Sequence, residues 1–323
     1  MAIVPKPEFS TTYYAVSGPS YDRCCFLAER HPADVESARK RVDESIVVAI
    51  SPKKEPGQLH VNLVRISNDW HCGLWLSPDE TLFVATQQDR VLRMPKAFRP
   101  ELTHTDFQVD NIRSTLTDIW GLTDDCVFTW GIRGVGDDQE YPIFRFDGTQ
   151  WNEMPSPGFE VYAMHGLSPN LIWAVGDGVA FWNGSQWKQF PAPGPERYVA
   201  VFVAAPDEVY AVGRVNSFVI EGGPHGFQKI GDPEIPLGLD AVVKWKGDLW
   251  IGAESAGLFK RVGKSNKLEL LEKGVRAKAF DVRKDFVICC YNVIAATQDG
   301  KKFVAAARDS VLEIRGDKAL HEP

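Results

Sequence analysis

Arginine, acidic and tyrosine side chains recur at comparable places along this chain, and they are the groups with most to offer chemically. Arg113, Arg197 with Tyr198, and Arg276 each stand just ahead of an apolar run, as do Glu160 with Tyr162, and Asp240. Three guanidinium groups brought together would clamp a carboxylate or phosphate through paired N–H donors. A second set of polar positions falls within the repeating segments, at Gln87–Asp89, Asp177, Arg214–Asn216 and Glu254–Ser255. The stretch "IRGVGDDQEYP" (132–142) adds Arg133, Asp137, Asp138, Glu140 and Tyr141. Its acids are dense enough to interest a calcium ion, but they lack the alternating ligand spacing of a calcium loop, so no metal is expected. Adjacent acids such as Asp124-Asp125 and Asp137-Asp138 in turns are normally solvated rather than poised for proton transfer.

Other reactive signatures are missing. No G-x-S-x-G, H-E-x-x-H, Walker or G-x-G-x-x-G element occurs in a suitable context. The seven histidines are scattered. Cys24-Cys25 and Cys289-Cys290 are neighbours in strand-like runs, where successive side chains point to opposite faces and cannot easily bridge. With no C-x-x-C spacing, the six cysteines read as buried reduced thiols. No catalytic residue and no cofactor is therefore assigned.

The positioning elements follow from repetition. "HGLSPNLIWAVG" (165–176), "WGLTDDCVFTWG" (120–131), "LWLSPDETLFVAT" (74–86) and "FVAAPDEVYAVG" (202–213) share one plan: an apolar stretch, a polar tight turn, then a β-branched and aromatic run ending on a small residue. That is a strand–turn–strand unit. "FRFDGTQW" (144–151), "AFWNGSQW" (180–187) and "ATQDGKKF" (296–303) repeat as well, and Asn-Gly or Asp-Gly there signals a hairpin whose central residues take positive φ. Second strands are expected near Ile46–Ile50, Leu82–Thr86, Val127–Gly131, Trp173–Gly176, Val209–Gly213, Leu249–Gly252 and Phe286–Cys290. A spacing of roughly 40 residues is that of one four-stranded propeller blade.

Seven units predict an all-β, seven-bladed β-propeller in a single domain over 1–323. Its blades fall at about 10–68, 69–110, 111–157, 158–195, 196–235, 236–274 and 275–316. Trp130, Trp173, Tyr210 and Trp250 would fill the space between blades, with Trp151, Trp187 and Phe303 at one common position on the outer hairpin strand. His165 aligns with Trp120 and Phe202, either as a core residue or as a lining of the channel. "HPADVESARKRVDES" (31–45) carries a thin helical stripe and reads as one short inserted helix joining the first two strands of its blade. Pairing of "TTYYAV" (11–16) with "SVLEIRG" (310–316) in one blade would close the ring and remove its edges; a partial eighth blade is the alternative.

The pattern "SPNLIWAVGDGVAFWNGSQW" resembles the repeats of bacterial β-propellers with a W-A-V-G…G…W signature, loosely akin to BNR- and kelch-like repeats. The resemblance is good over 118–231, weaker on either side and poor before residue 68. It implies the fold and little about activity, since propellers host many functions. The Asp-box of sialidases is not reproduced, so no glycosidase residue carries over.

In a propeller, the loops leading into each innermost strand and those joining the second and third strands open on one face. The candidate binding residues Arg113, Arg133, Asp137, Asp138, Glu140, Tyr141, Tyr162, Arg197, Tyr198, Arg214, Asp240 and Arg276 all map there. The 132–142 insertion stands out, and long loops in compact domains are often functional or simply mobile. A net charge of −7, with acids and bases mixed, argues against nucleic acid and anionic membrane as partners. No apolar run approaches a membrane span, and "MAIVPKPEF" lacks the pattern of a signal peptide, so a cytoplasmic chain is expected. The leading reading is a non-enzymatic protein-binding propeller, a scaffold or an immunity-type inhibitor of another protein. The alternative is a propeller enzyme, or a glycan or small-anion binder, acting at the channel mouth through Arg113, Arg197, Arg276, Asp240, His165 or Tyr198.

Overall fold

A run such as Leu171–Gly176, dense in β-branched and aromatic residues and buried on both faces, can only be an interior strand of stacked sheets. The computed structural model places it so. Residues 9–32, 44–55, 58–99, 106–193, 197–214, 219–230, 238–253, 256–261, 263, 267–273 and 275–308 are described. They form seven four-stranded antiparallel sheets, each from one continuous stretch: 9–67, 71–111, 115–154, 161–190, 198–230, 241–272 and 277–308. The molecule is a seven-bladed propeller, and these sheets are blades 1 to 7. Helical conformation among the described residues is limited to the 3-10 turn Gly136–Asp138 and to Asp106. The inserted helix expected over 31–45 falls on 33–43, which lie outside the described residues; its flanks, 31–32 and 44–45, are strand.

Large aromatics fill the inter-blade space as expected. Trp130, Trp173 and Trp250 are each at most 1% exposed and sit against the following blade: Trp130 with Met164, Trp173 with Tyr198, Trp250 with Phe286. The outer tryptophans tie neighbours together. Trp151 Nε1 donates to Asp110 of blade 2 at 3.1 Å, and Trp187 Nε1 donates to the Pro155 carbonyl at 2.6 Å.

The glycine of W-A-V-G has a steric cause. A β-bulge where the innermost strand of blade 4 begins brings its backbone against Gly176, and a Cβ there would stand 1.8 Å from the Glu160 carbonyl. The Asp-Gly and Asn-Gly turns differ from the two-residue hairpin expected. Only glycine takes positive φ, +96° at Gly148 and +97° at Gly184, and Phe146 and Trp182 pair with Trp151 and Trp187 across four residues. The preceding side chain closes the turn: Asp147 Oδ1 accepts from the amides of Thr149 and Gln150, and Asn183 Oδ1 from those of Ser185 and Gln186.

Two expectations about blade 1 are corrected. Residues 46–50 belong to its third strand, Glu44–Pro52, because the second is Arg23–Pro32. The segment 31–45 therefore falls between the second and third strands of its blade, not between the first and second. The ring closure expected between 11–16 and 310–316 falls partly on residues outside those described. Residues 11–16 lie in the innermost strand of blade 1, bonded to its second strand, while blade 7 is completed by Phe303–Arg308. Residues 310–316 lie outside the described residues. Blade 1 meets blade 7 by packing, by the amides of Lys284 and Asp285 donating to the Pro19 carbonyl (3.1 and 2.9 Å), and by a polar network around Asp281. Asp281 Oδ2 accepts from Ser17 Oγ (3.0 Å) and the Gly18 amide (2.9 Å), Arg283 binds both Asp281 and Ser17, and Tyr13 N–H reaches Tyr291 O at 3.0 Å.

Candidate functional site

Seven innermost strands surround a central channel of about 530 Å³, and most of the polar positions of the sequence lie in the loops that lead into them or that join second and third strands. The face and the channel hold different chemistry.

On the face, the 132–142 insertion is an ordered extension of blade 3. Arg133 and Glu140 exchange backbone hydrogen bonds at 3.0 and 2.8 Å, continuing the second and third strands outward. The Arg133 guanidinium contacts Glu140 at 2.7 Å and Glu153 at 2.9 Å. Glu153 first, then Glu140, holds the arginine more firmly protonated, and the Glu153 carboxyl is drawn down in return. Asp137 and Asp138 form the exposed tip of the loop, with Tyr141 half-buried at its return. Val135 beside them is 86% exposed, an apolar side chain that the fold gives no cover.

Arg113 stands next to this loop, exposed and in the left-handed backbone region (φ 60°), a conformation uncommon for a residue with a Cβ. With Arg90 and Arg133 it lines a shallow open groove of about 800 Å³ between blades 2 and 3. Arg90 pairs with Asp69 at 3.6 Å. Sequence reasoning missed Arg90, although it directly follows the Gln87–Asp89 loop.

The remaining candidates are dispersed. Arg197 pairs with Asp177 at 3.3 Å and lies over the Tyr162 ring at 5.2 Å. Burial and the neighbouring Glu160 carboxylate push the Tyr162 hydroxyl up. Arg276 lies over Tyr291 at 5.9 Å. Arg214 pairs with the buried Asp240 at 2.8 Å on the channel wall. Tyr198 does not belong on the face. It is wholly buried with Trp173 between blades 4 and 5, because the innermost strand begins one residue earlier than the apolar pattern suggests. Arg113, Arg197 and Arg276 do not line the channel together, so the anion clamp drawn from their spacing is not assembled. Glu254–Ser255 and Asn216 lie outside the described residues.

In the channel, Trp120, His165 and Phe202 of blades 3, 4 and 5 form an arc, with ring centroids 5.3 and 4.8 Å apart. His165 is thus both packed and channel-lining. Its Nδ1 accepts the Val203 amide at 3.1 Å, and burial pulls its pKa down to about 4, so the ring is neutral. Asp118 lies two residues before Trp120. Its Oδ1 accepts the Ile119 amide at 2.8 Å, and although half-buried by surface it is enclosed by protein closely enough to be pushed up to about 7. That carboxylate was not singled out by sequence reasoning. The available signal was comparative: equivalent positions in blades 2, 4 and 5 are Gly73, Ala163 and Ala200.

All six cysteines are thiols, with Cys72 half-buried and the rest buried. Among the described residues there is no cluster of metal-ligating side chains, and no helix is long and apolar enough to cross a membrane.

No protein-family model matches the sequence, and no curated protein does. Solved structures do match in shape. The WD40 β-propeller domain of Doa1 superposes with a TM-score of 0.66 at 9% identity, covering 86% of this chain and 89% of that one. YCF48 from Cyanidioschyzon merolae gives 0.63 at 9% identity, covering 93% and 98%. A structure of YCF48 bound to D1 peptide gives 0.59 at 8% identity, covering 88% and 93%. At such identities the likeness is one of fold.

Proposed function

We propose that this chain is a non-enzymatic, cytoplasmic protein-binding propeller of the W-A-V-G repeat type. It engages its partner on the face carrying the 132–142 loop, as a scaffold or as an immunity-type inhibitor. The observation that carries the reading is that loop. Arg133 bridges Glu140 and Glu153 at its base, and it holds Val135 in solvent beside a groove lined by three arginines. An exposed apolar tip flanked by guanidinium groups has the make-up of an interface anchor and its rim. The arginines suit an acidic segment of the partner, since Arg113 offers a bidentate fork to a carboxylate. A further support is that one protein of this shape, YCF48, has been solved with a peptide bound.

The test is affinity purification from the native cell with the wild-type chain and with Val135→Asp and Arg113→Glu variants. A partner retained in stoichiometric amount by the wild type and lost by both variants supports the reading. Recovery of no stoichiometric partner, or equal recovery by all three proteins, refutes it.

A further inference from the structure

We propose that the central channel binds a small organic ammonium ion, seated between the Asp118 carboxylate and the aromatic arc of Trp120, His165 and Phe202. This site is separate from the loop face and does not depend on the reading given to that face.

Charge in the channel is otherwise matched. Asp240 is paired with Arg214, Asp281 with Arg283, and Lys278, three blades round the wall from Asp118, has its ammonium 5.4 Å from the Tyr291 ring. Asp118 has no cation beside it among the described residues; its own strand supplies one amide donor and nothing more. Among titratable side chains, Cys72 on blade 2 interacts with it, and His165 on blade 4 lines the same channel. Burial holds the first as a neutral thiol and the second as a neutral imidazole. An enclosed carboxylate without a counter-ion is costly, and folding does not require it, since sister blades carry glycine or alanine at that position.

The packing nonetheless accommodates the group. A Cβ on Gly73 would stand 2.0 Å from Asp118 Oδ1, so glycine on the neighbouring blade is what leaves the carboxylate its place. Strand alternation puts Asp118 and Trp120 on the same side of their strand, and both line the channel. Ring faces attract cations through their quadrupole, most strongly for indole, and one carboxylate supplies the balancing charge. A cavity of about 530 Å³ is of small-ligand size.

The test uses the full chain at pH 8, where Asp118 is ionised, with calorimetry and tryptophan fluorescence as readouts. The probes are tetramethylammonium chloride, n-butylammonium chloride and neopentyl alcohol, the last a neutral relative of the first in shape. Saturable binding of either cation at millimolar concentration, with neopentyl alcohol failing to bind, is the expected result. Asp118→Asn is expected to weaken it about tenfold or more, and Phe202→Leu severalfold. Absence of saturation with both cations, equal binding of the alcohol, or unchanged affinity in folded Asp118→Asn overturns the proposal. The comparison of cation with alcohol is made on the wild type, so it stands even where a variant fails to fold.

Discussion

Replacing Asp281 with alanine should loosen the seam between blades 1 and 7, which keeps its apolar packing and the backbone bonds to Pro19, while leaving every blade intact. The carboxylate accepts from the Gly18 amide at 2.9 Å and from Ser17 Oγ at 3.0 Å, and it is the ion-pair partner of Arg283 at 3.0 Å. Its side chain is 13% exposed, so water replaces little of this. Hydrogen bonds to a charged acceptor contribute about 1.5–3 kcal/mol each, and the orphaned Gly18 amide adds a desolvation cost while Arg283 rehydrates in part; the expected loss is about 2–4 kcal/mol. Urea unfolding measures it. Asp248→Ala serves as the comparison, since it removes an ion pair with Lys260 inside blade 6, both partners about a quarter exposed, and should cost under about 1 kcal/mol. Hydrogen exchange supplies the local readout: the Tyr13 amide, bonded to Tyr291 across the seam, should exchange faster in Asp281→Ala and unchanged in Asp248→Ala. If the two variants lie within about 0.5 kcal/mol of each other and the Tyr13 amide is equally protected, the network does not hold the ring closed.

Gly176→Ala should destabilise by about 2 kcal/mol or more, because the added carbon meets the Glu160 carbonyl at 1.8 Å and only backbone movement relieves it; thermal unfolding checks this. His71 is fully buried and its pKa is pulled down to about 3, first by burial and then by Arg65. The unfolded chain takes up that proton below about pH 6.5 and the folded one does not, so stability falls from there toward pH 3 by about 1.4 kcal/mol per unit. Flattening of the acid limb in His71→Gln is the expected outcome, and an unchanged slope would contradict it. Asp118 acts in the opposite sense. Its folded pKa is raised to about 7, so it favours the folded state below about pH 4 and loses that contribution as pH rises through 7. Asp118→Asn should therefore be the more stable protein at pH 8 and gain nothing at pH 4.

The blades most legible in the sequence were those with Trp or Tyr on the second strand and a closing glycine, as in Trp173–Gly176 and Tyr210–Gly213, since both residues answer to local sterics that recur. Blade 1 was misread. Its strands are 9 to 12 residues long and its apolar runs carry no Asp-Gly turn, so Ile46–Ile50 passed for a second strand. Tyr198 shows the limit at strand boundaries, where a shift of one residue exchanges a solvent-facing side chain for an enclosed one. The grouping of Arg90 with Arg113 and Arg133 depends on how adjacent loops lean over an inter-blade groove, which no linear spacing encodes. Asp118 was hidden for another reason: a lone acid within a strand has no motif, and its meaning comes from the alanines and glycine that its sister strands carry instead.

Each sheet being one unbroken stretch of chain has a consequence for biogenesis. A blade's hydrogen bonds can all form once its own 30 to 60 residues have left the ribosome, without waiting for distant sequence. The seam contacts, from Ser17 with Asp281, 264 positions apart, to Tyr13 with Tyr291, are by contrast among the last to become available. Translation then delivers an open arc that lengthens blade by blade, whose leading apolar flank stays uncovered until the seventh blade arrives to cap it.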